Sequence, residues 1–103
     1  MSPYTETTIT IGKAVLLQLH QRNQKELMDD SDYIPVLKTV ISGVVSTAPD
    51  PVSQRQIQQT LHEYARDLYM QLWISTTAEG EDPELDEGLE TFDYIYEHEN
   101  WPK

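Results

Sequence analysis

The chain has 103 residues, 38% of them hydrophobic, with six tyrosines and two tryptophans, which suffices for one core with little spare stability. It has no cysteine, which excludes disulfides, thiolate zinc sites and cysteine nucleophiles. A net charge of −11 repels nucleic acid and anionic lipid and attracts basic protein surfaces.

The acid is unevenly placed. Residues 1–66 hold seven acids and six bases, a balance of −1, whereas residues 67–103 hold eleven acids against Lys103 alone, a balance of −10. The apolar run Ala14 to Leu19 is far below the roughly 20 residues of a membrane span and has no basic region before it. A single domain over residues 1–103 is expected, cytoplasmic, with no signal peptide and no membrane contact.

A first helix is expected over about Thr8 to Met28, with Ile11, Val15 and Leu19 at four-residue spacing and Leu16 and Leu17 widening the face. Thr7-Thr8-Ile9-Thr10-Ile11 alternates with period two, which equally fits a short N-terminal strand. Asp29, Asp30, Ser31 and Asp32 then break the helix and suit the N-terminus of the next. That second helix, Tyr33 to Ala48, is apolar over a wide arc and carries one charge, Lys38, as befits a central helix packed on several sides.

Ala48-Pro49-Asp50-Pro51 is a clear break. Ser53 and Gln56 follow in capping-box register, and a third helix runs to about Ser75 with Ile57, Leu61, Tyr64, Leu68 and Leu72 inward. After a polar linker, Asp82-Pro83 has the form of a helix start. The fourth helix, about residues 83–99, has a narrow stripe of Leu85, Leu89, Phe92 and Tyr96, with Gly88 as a weak point. The fold class is all-α, a compact four-helix domain of bundle or irregular type.

Two surfaces are candidates for function. On the fourth helix Asp86, Glu90, Asp93 and Glu97 form an exposed acidic row about 100° from the apolar stripe. A solvated face is the ordinary reading of such a row. Against it, Glu97 and Glu99 oppose the helix dipole at about 0.3 to 1 kcal/mol each, and no lysine or arginine stands at i+3 or i+4 within the helix to relieve them. On the third helix His62, Arg66, Tyr69 and Trp73 lie opposite the core face, so Tyr69 and Trp73 are expected in an interface, with a partner or in a homodimer seam, unless the fourth helix, the linker or Trp101-Pro102 covers them.

Catalytic and metal signatures are weak. His20, His62 and His98 fall on different helices, Glu97-His98-Glu99 cannot all face one ion, and the stretch Glu79 to Glu90 lacks the glycine of a calcium loop. The glycines are isolated, so no phosphate loop is formed. The expectation is therefore no enzyme and no cofactor or metal. The preferred function is a protein–protein interaction module, an adaptor, assembly factor or inhibitor, that shows its acidic helix to a basic partner. The partner-binding residues would be Asp86, Glu90, Asp93, Glu97, Arg66, Tyr69 and Trp73, with no direct contact to nucleic acid.

Two alternatives stand beside it. One is a nucleic-acid mimic that inhibits a DNA- or RNA-binding protein, as counter-defence proteins and antitoxins do, although one row spaced at about 5 Å per charge is sparse beside a phosphate every 3.4 Å or so. The other is a structural homo-oligomer or small-ligand binder built through the third helix.

Overall fold

The computed structural model describes residues 3–26 and 28–98, in which four helices follow one another: α1 (Pro3–Lys25), α2 (Asp30–Val45), α3 (Pro51–Thr76) and α4 (Leu85–His98). The all-α expectation holds. Among the described residues there is no strand, and the alternating stretch Thr7 to Ile11 is helical. Its threonines do not oppose the helix: the Thr8 and Thr10 hydroxyls donate to the carbonyls of Tyr4 and Glu6 one turn back, at 2.8 and 2.9 Å.

The helices α2 and α3 form the middle of the molecule. Both α1 and α4 pack on this pair, and they do not pack on each other among the described residues, so they flank it as two outer helices. The core between them contains Leu16, Ile34, Leu37, Ile41, Ile57, Leu61, Leu68 and Phe92, all nearly inaccessible. Burying each such side chain contributes about 1.5 to 3 kcal/mol.

The seat of α1 differs from the expected one. Its buried side is Thr5, Ile9, Gly12, Leu16, His20 and Asn23, while Ile11 and Val15 face solvent, 56% and 37% exposed. Close approach decides the rotation. A Cβ on Gly12 would lie 2.7 Å from Leu61 Cδ1, so any larger residue there must displace the end of that leucine for α1 to come as close to α3. Two polar residues on this side are each partnered through one atom: His20 Nδ1 meets the Tyr33 hydroxyl at 3.2 Å, and Asn23 Oδ1 accepts the Met28 N–H at 2.7 Å.

Two helix starts are also displaced. Helix α3 begins at Pro51, ahead of Ser53: Asp50 is the N-cap, its carboxylate accepting the Ser53 N–H at 2.8 Å and the Ser53 hydroxyl at 3.1 Å. These bonds hold the Asp50 carboxyl below its usual pKa, the Ser53 backbone N–H being the main cause. At the other Asp-Pro pair, Asp82 caps only a local turn, accepting the Glu84 N–H at 3.1 Å, and α4 starts at Leu85 after Glu84 in a left-handed conformation, φ 48°. The Pro83 carbonyl accepts the indole N–H of Trp73, and the Glu87 N–H, four residues after Pro83, bonds instead to the Glu84 carbonyl, which also accepts the Gly88 N–H.

Candidate functional site

The residues singled out on α3 are the seat of α4. His62 lies 5.7 Å from the Phe92 ring and 4.6 Å from the Tyr96 ring, centre to centre, and Tyr69 lies 5.5 Å from Phe92. Arg66 Nη2 donates to Asp93 Oδ2 at 2.8 Å. Tyr69 is 1% exposed, and Trp73 is half-buried beneath Gly88, where a Cβ would stand 3.0 Å from the indole. Tyr69 and Trp73 thus lie in an interface within the chain, and the aromatic basis for a homodimer seam or partner pocket on α3 is consumed by α4. Trp101, named as another possible cover, lies outside the described residues.

The buried side of α4 is Gly88, Phe92 and Tyr96, with Leu89 and Ile95 half-buried. Leu85, expected inside, is 46% exposed at the first residue of the helix. Gly88 is not a weak point in packing: it is the close-approach position of α4, as Gly12 is of α1.

The acidic row is only partly free. Asp86, Glu90 and Glu97 are exposed, but Asp93 is half-buried and paired with Arg66, both side chains a little over one third exposed. Such a pair is worth at most about 1 kcal/mol. The C-terminal end of α4 is also relieved from outside the helix. Lys38 of α2 donates to the Tyr96 carbonyl at 2.6 Å and its ammonium lies 5.1 Å from the Tyr96 ring centre, a cation at the negative end of the dipole. The dipole mismatch inferred from Glu97 is therefore offset by tertiary contacts. Glu99 lies outside the described residues. Glu97 itself borders a shallow open groove with Arg55, Gln58, Gln59, His62 and Tyr96.

The uncompensated acid lies earlier. Glu79, Glu81, Asp82, Glu84, Asp86, Glu87 and Glu90 are all exposed, and none is in either of the two ion pairs formed among the described residues, Arg22–Glu26 and Arg66–Asp93. Glu84 and Glu87 stand close enough that the Glu84 carboxyl is held above its usual pKa, first by a hydrogen bond with Glu87 and then by the Glu87 and Asp82 charges. Beside these acids, Leu85 and Tyr94 are exposed, Tyr94 at 65% with its ring stacked on His98. Glu84 and Glu87 were not singled out by periodicity, whereas Tyr94 was expected among the aromatics that slow dissociation from a partner, and at four residues from Glu90 it shares that residue's helix face.

Among the described residues no three histidine, aspartate or glutamate side chains stand where they could hold one ion. No helix of the described residues is long and apolar enough to cross a membrane. No protein-family model, no curated protein and no solved structure matches the chain.

Proposed function

We propose that the protein is a non-enzymatic interaction module, an adaptor, assembly factor or inhibitor, that presents the outer side of α4 and the loop before it to a basic surface on a partner protein. The observation that carries this reading is the run of exposed carboxylates from Glu79 to Glu90 without an ion-pair partner among the described residues, next to exposed Leu85 and Tyr94. Unpaired carboxylates of one sign steer a basic partner and speed encounter, while an aromatic that becomes buried slows dissociation. The binding residues under this reading are Glu84, Asp86, Glu87, Glu90 and Tyr94, with Glu97 at the rim.

A second reading, imitation of a nucleic-acid backbone, is supported by the closeness of Glu84 and Glu87 and by the acids of the 79–84 loop, which add a row to the single one on α4. It makes the partner a nucleic-acid-binding protein whose ligand competes with this chain.

The test begins with a partner recovered by affinity purification from the native cell. Reversing Glu87 and Glu90 to lysine should slow association about tenfold at low salt and flatten its ionic-strength dependence, since steering is screened over about 8 to 10 Å at ordinary salt. Tyr94→Ala should act on dissociation. Binding indifferent to the reversal and to added salt would make the acid a solubility feature alone.

A further inference from the structure

We infer that the outer face of α1 and α2 is an interface on which a second copy of this chain docks. The face is built from two apolar rows. Ile11, Val15 and Leu19 recur at every fourth residue of α1, and Val36, Val40 and Val44 do so on α2, so each row keeps to one side of its helix. The rows lie side by side. At one end the Tyr4 hydroxyl donates to the Thr47 carbonyl at 2.7 Å, and at the other Leu19 and Val36 line the same cleft. Ile11 and Val15 are exposed and the other four are half-buried.

The first row is the most regular apolar repeat of α1, yet the core of the single chain takes Ile9, Gly12, Leu16 and their polar neighbours instead. Apolar side chains that are contiguous and left facing water mark a docking surface. The size of the face is that of an interface. Helices of 23 and 16 residues lying side by side are about 34 and 24 Å long and about 10 Å wide, and together present roughly 600 Å², near the 800 Å² or so that each partner of a standard interface buries.

Charge selects the occupant. The exposed residues of α1 from Thr7 to Gln21 and of α2 from Tyr33 to Val45 are all uncharged. Lys13 is turned to the Tyr64 ring on α3 and Lys38 to the Tyr96 carbonyl on α4, so neither enters the face. An anionic membrane finds no cation here, and a basic partner finds no acid to pair with. A second copy fits, because apolar rows are complementary to themselves across a two-fold axis. Helix α4 does not pack on α1 among the described residues, so two chains of charge −11 can meet on this face with their acidic helices outermost. The inference uses no part of the α4 surface and stands whether or not that surface recognises a partner.

The test is sedimentation velocity on the full chain over a concentration series, with methyl NMR over the same range. The expected result is a reversible dimer, half formed at about 10 to 100 µM. The methyl signals of Ile11, Val15 and Val40 should shift with concentration while that of Ile95 on α4 stays in place. Added salt should strengthen the dimer by screening repulsion between like-charged chains, whereas it weakens the hold of α4 on a basic partner, so the two readings fail separately. Ile11→Glu, at a side chain 56% exposed, should keep the helical content and weaken the dimer at least about a hundredfold, because it buries an unpaired charge. Glu90→Lys should not weaken it. If Ile11→Glu does not fold, the concentration-dependent shifts of the unaltered chain decide. A chain still monomeric at about 1 mM, shifts confined to α3 or α4, a dimer that salt disperses, or one undiminished in Ile11→Glu would overturn the inference.

Discussion

The two outer helices flank the same α2–α3 pair, but they reach it by different chemistry. Helix α1 buries small and polar residues, Thr5, Gly12, His20 and Asn23 among them, and from Thr7 to Gln21 its exposed residues are all uncharged. Helix α4 buries a ring cluster built on Phe92 and Tyr96, and its exposed side is mostly carboxylate. Each has one glycine where it comes closest to α3, Gly12 over Leu61 and Gly88 over Trp73. The lesson is that close approach and ring packing decide how a helix is seated, while the solvent side is left free to carry apolar residues on α1 and charge on α4.

The sharpest way to break the comparison is to empty each seat. Phe92→Ala should cost about 3 to 5 kcal/mol and Leu16→Ala about 2 to 5 kcal/mol, as both side chains are fully buried. The two should differ in reach. Loss of Phe92 should raise hydrogen exchange mainly in α4, which is short and starts late, whereas loss of Leu16 should lower the melting temperature of the whole molecule. An unchanged melt with Phe92→Ala would mean that α4 is docked by its polar contacts alone.

The glycines test whether close approach matters equally on both sides. Gly12→Ala and Gly88→Ala each gain helix propensity of about 1 kcal/mol, and each meets an overpacking cost of about 1 to 3 kcal/mol. The contact at Gly12 is the shorter, 2.7 Å against 3.0 Å, but it falls on the end of a leucine, whereas at Gly88 it falls on the ring of Trp73, which the Pro83 carbonyl also holds. Chemical denaturation should therefore find Gly88→Ala at least as destabilising as Gly12→Ala. A stabilised Gly88→Ala would show that the indole yields freely.

Acidification should move the two helices in opposite directions. Burial lowers the pKa of His20 from 6.5, so below 6.5 the unfolded chain takes up a proton that the folded one refuses, and stability declines as pH falls until the folded pKa is reached. The slope cannot exceed about 1.4 kcal/mol per pH unit. For Glu84 the shift is upward, from 4.5, so repulsion from Glu87 and Asp82 acts above the raised value and is relieved as pH falls through it. Helix-resolved hydrogen exchange between pH 7 and 4 should show α1 loosening first and the start of α4 tightening later, and His20→Gln should remove the first response only. Parallel loosening of both helices would contradict the opposite signs.

The two Asp-Pro pairs show how far local signals carry. Asp50-Pro51 was legible as part of a break and Asp82-Pro83 as a helix start, yet the first begins a helix and the second does not. Asp50 meets Ser53 three residues on, an N-cap spacing available in the local sequence. Asp82 meets Glu84 two residues on, and the Pro83 carbonyl is taken by Trp73, ten residues back on another helix. The candidate site divides in the same way. Asp86, Glu90 and Glu97 were legible as an exposed row from spacing alone, whereas the neutralisation of Asp93 by Arg66 depends on the position of α3. The buried face of α1 differs from the expected one because hydrophobicity ranks Ile11 and Val15 above Gly12 and Asn23, and nothing in α1 itself records that Leu61 comes to lie against Gly12.

Periodicity and composition by themselves determined that this chain is four helices, that the second is central and that the last is acidic on one side, because these follow from repeats of three and four residues within each segment. The rotation of each helix about its own axis was decided only by tertiary structure, and with it which aromatics are covered and which carboxylates remain unpaired. Rotation depends on which side chains from distant segments must share a space, and that shared space exists only after the helices have packed.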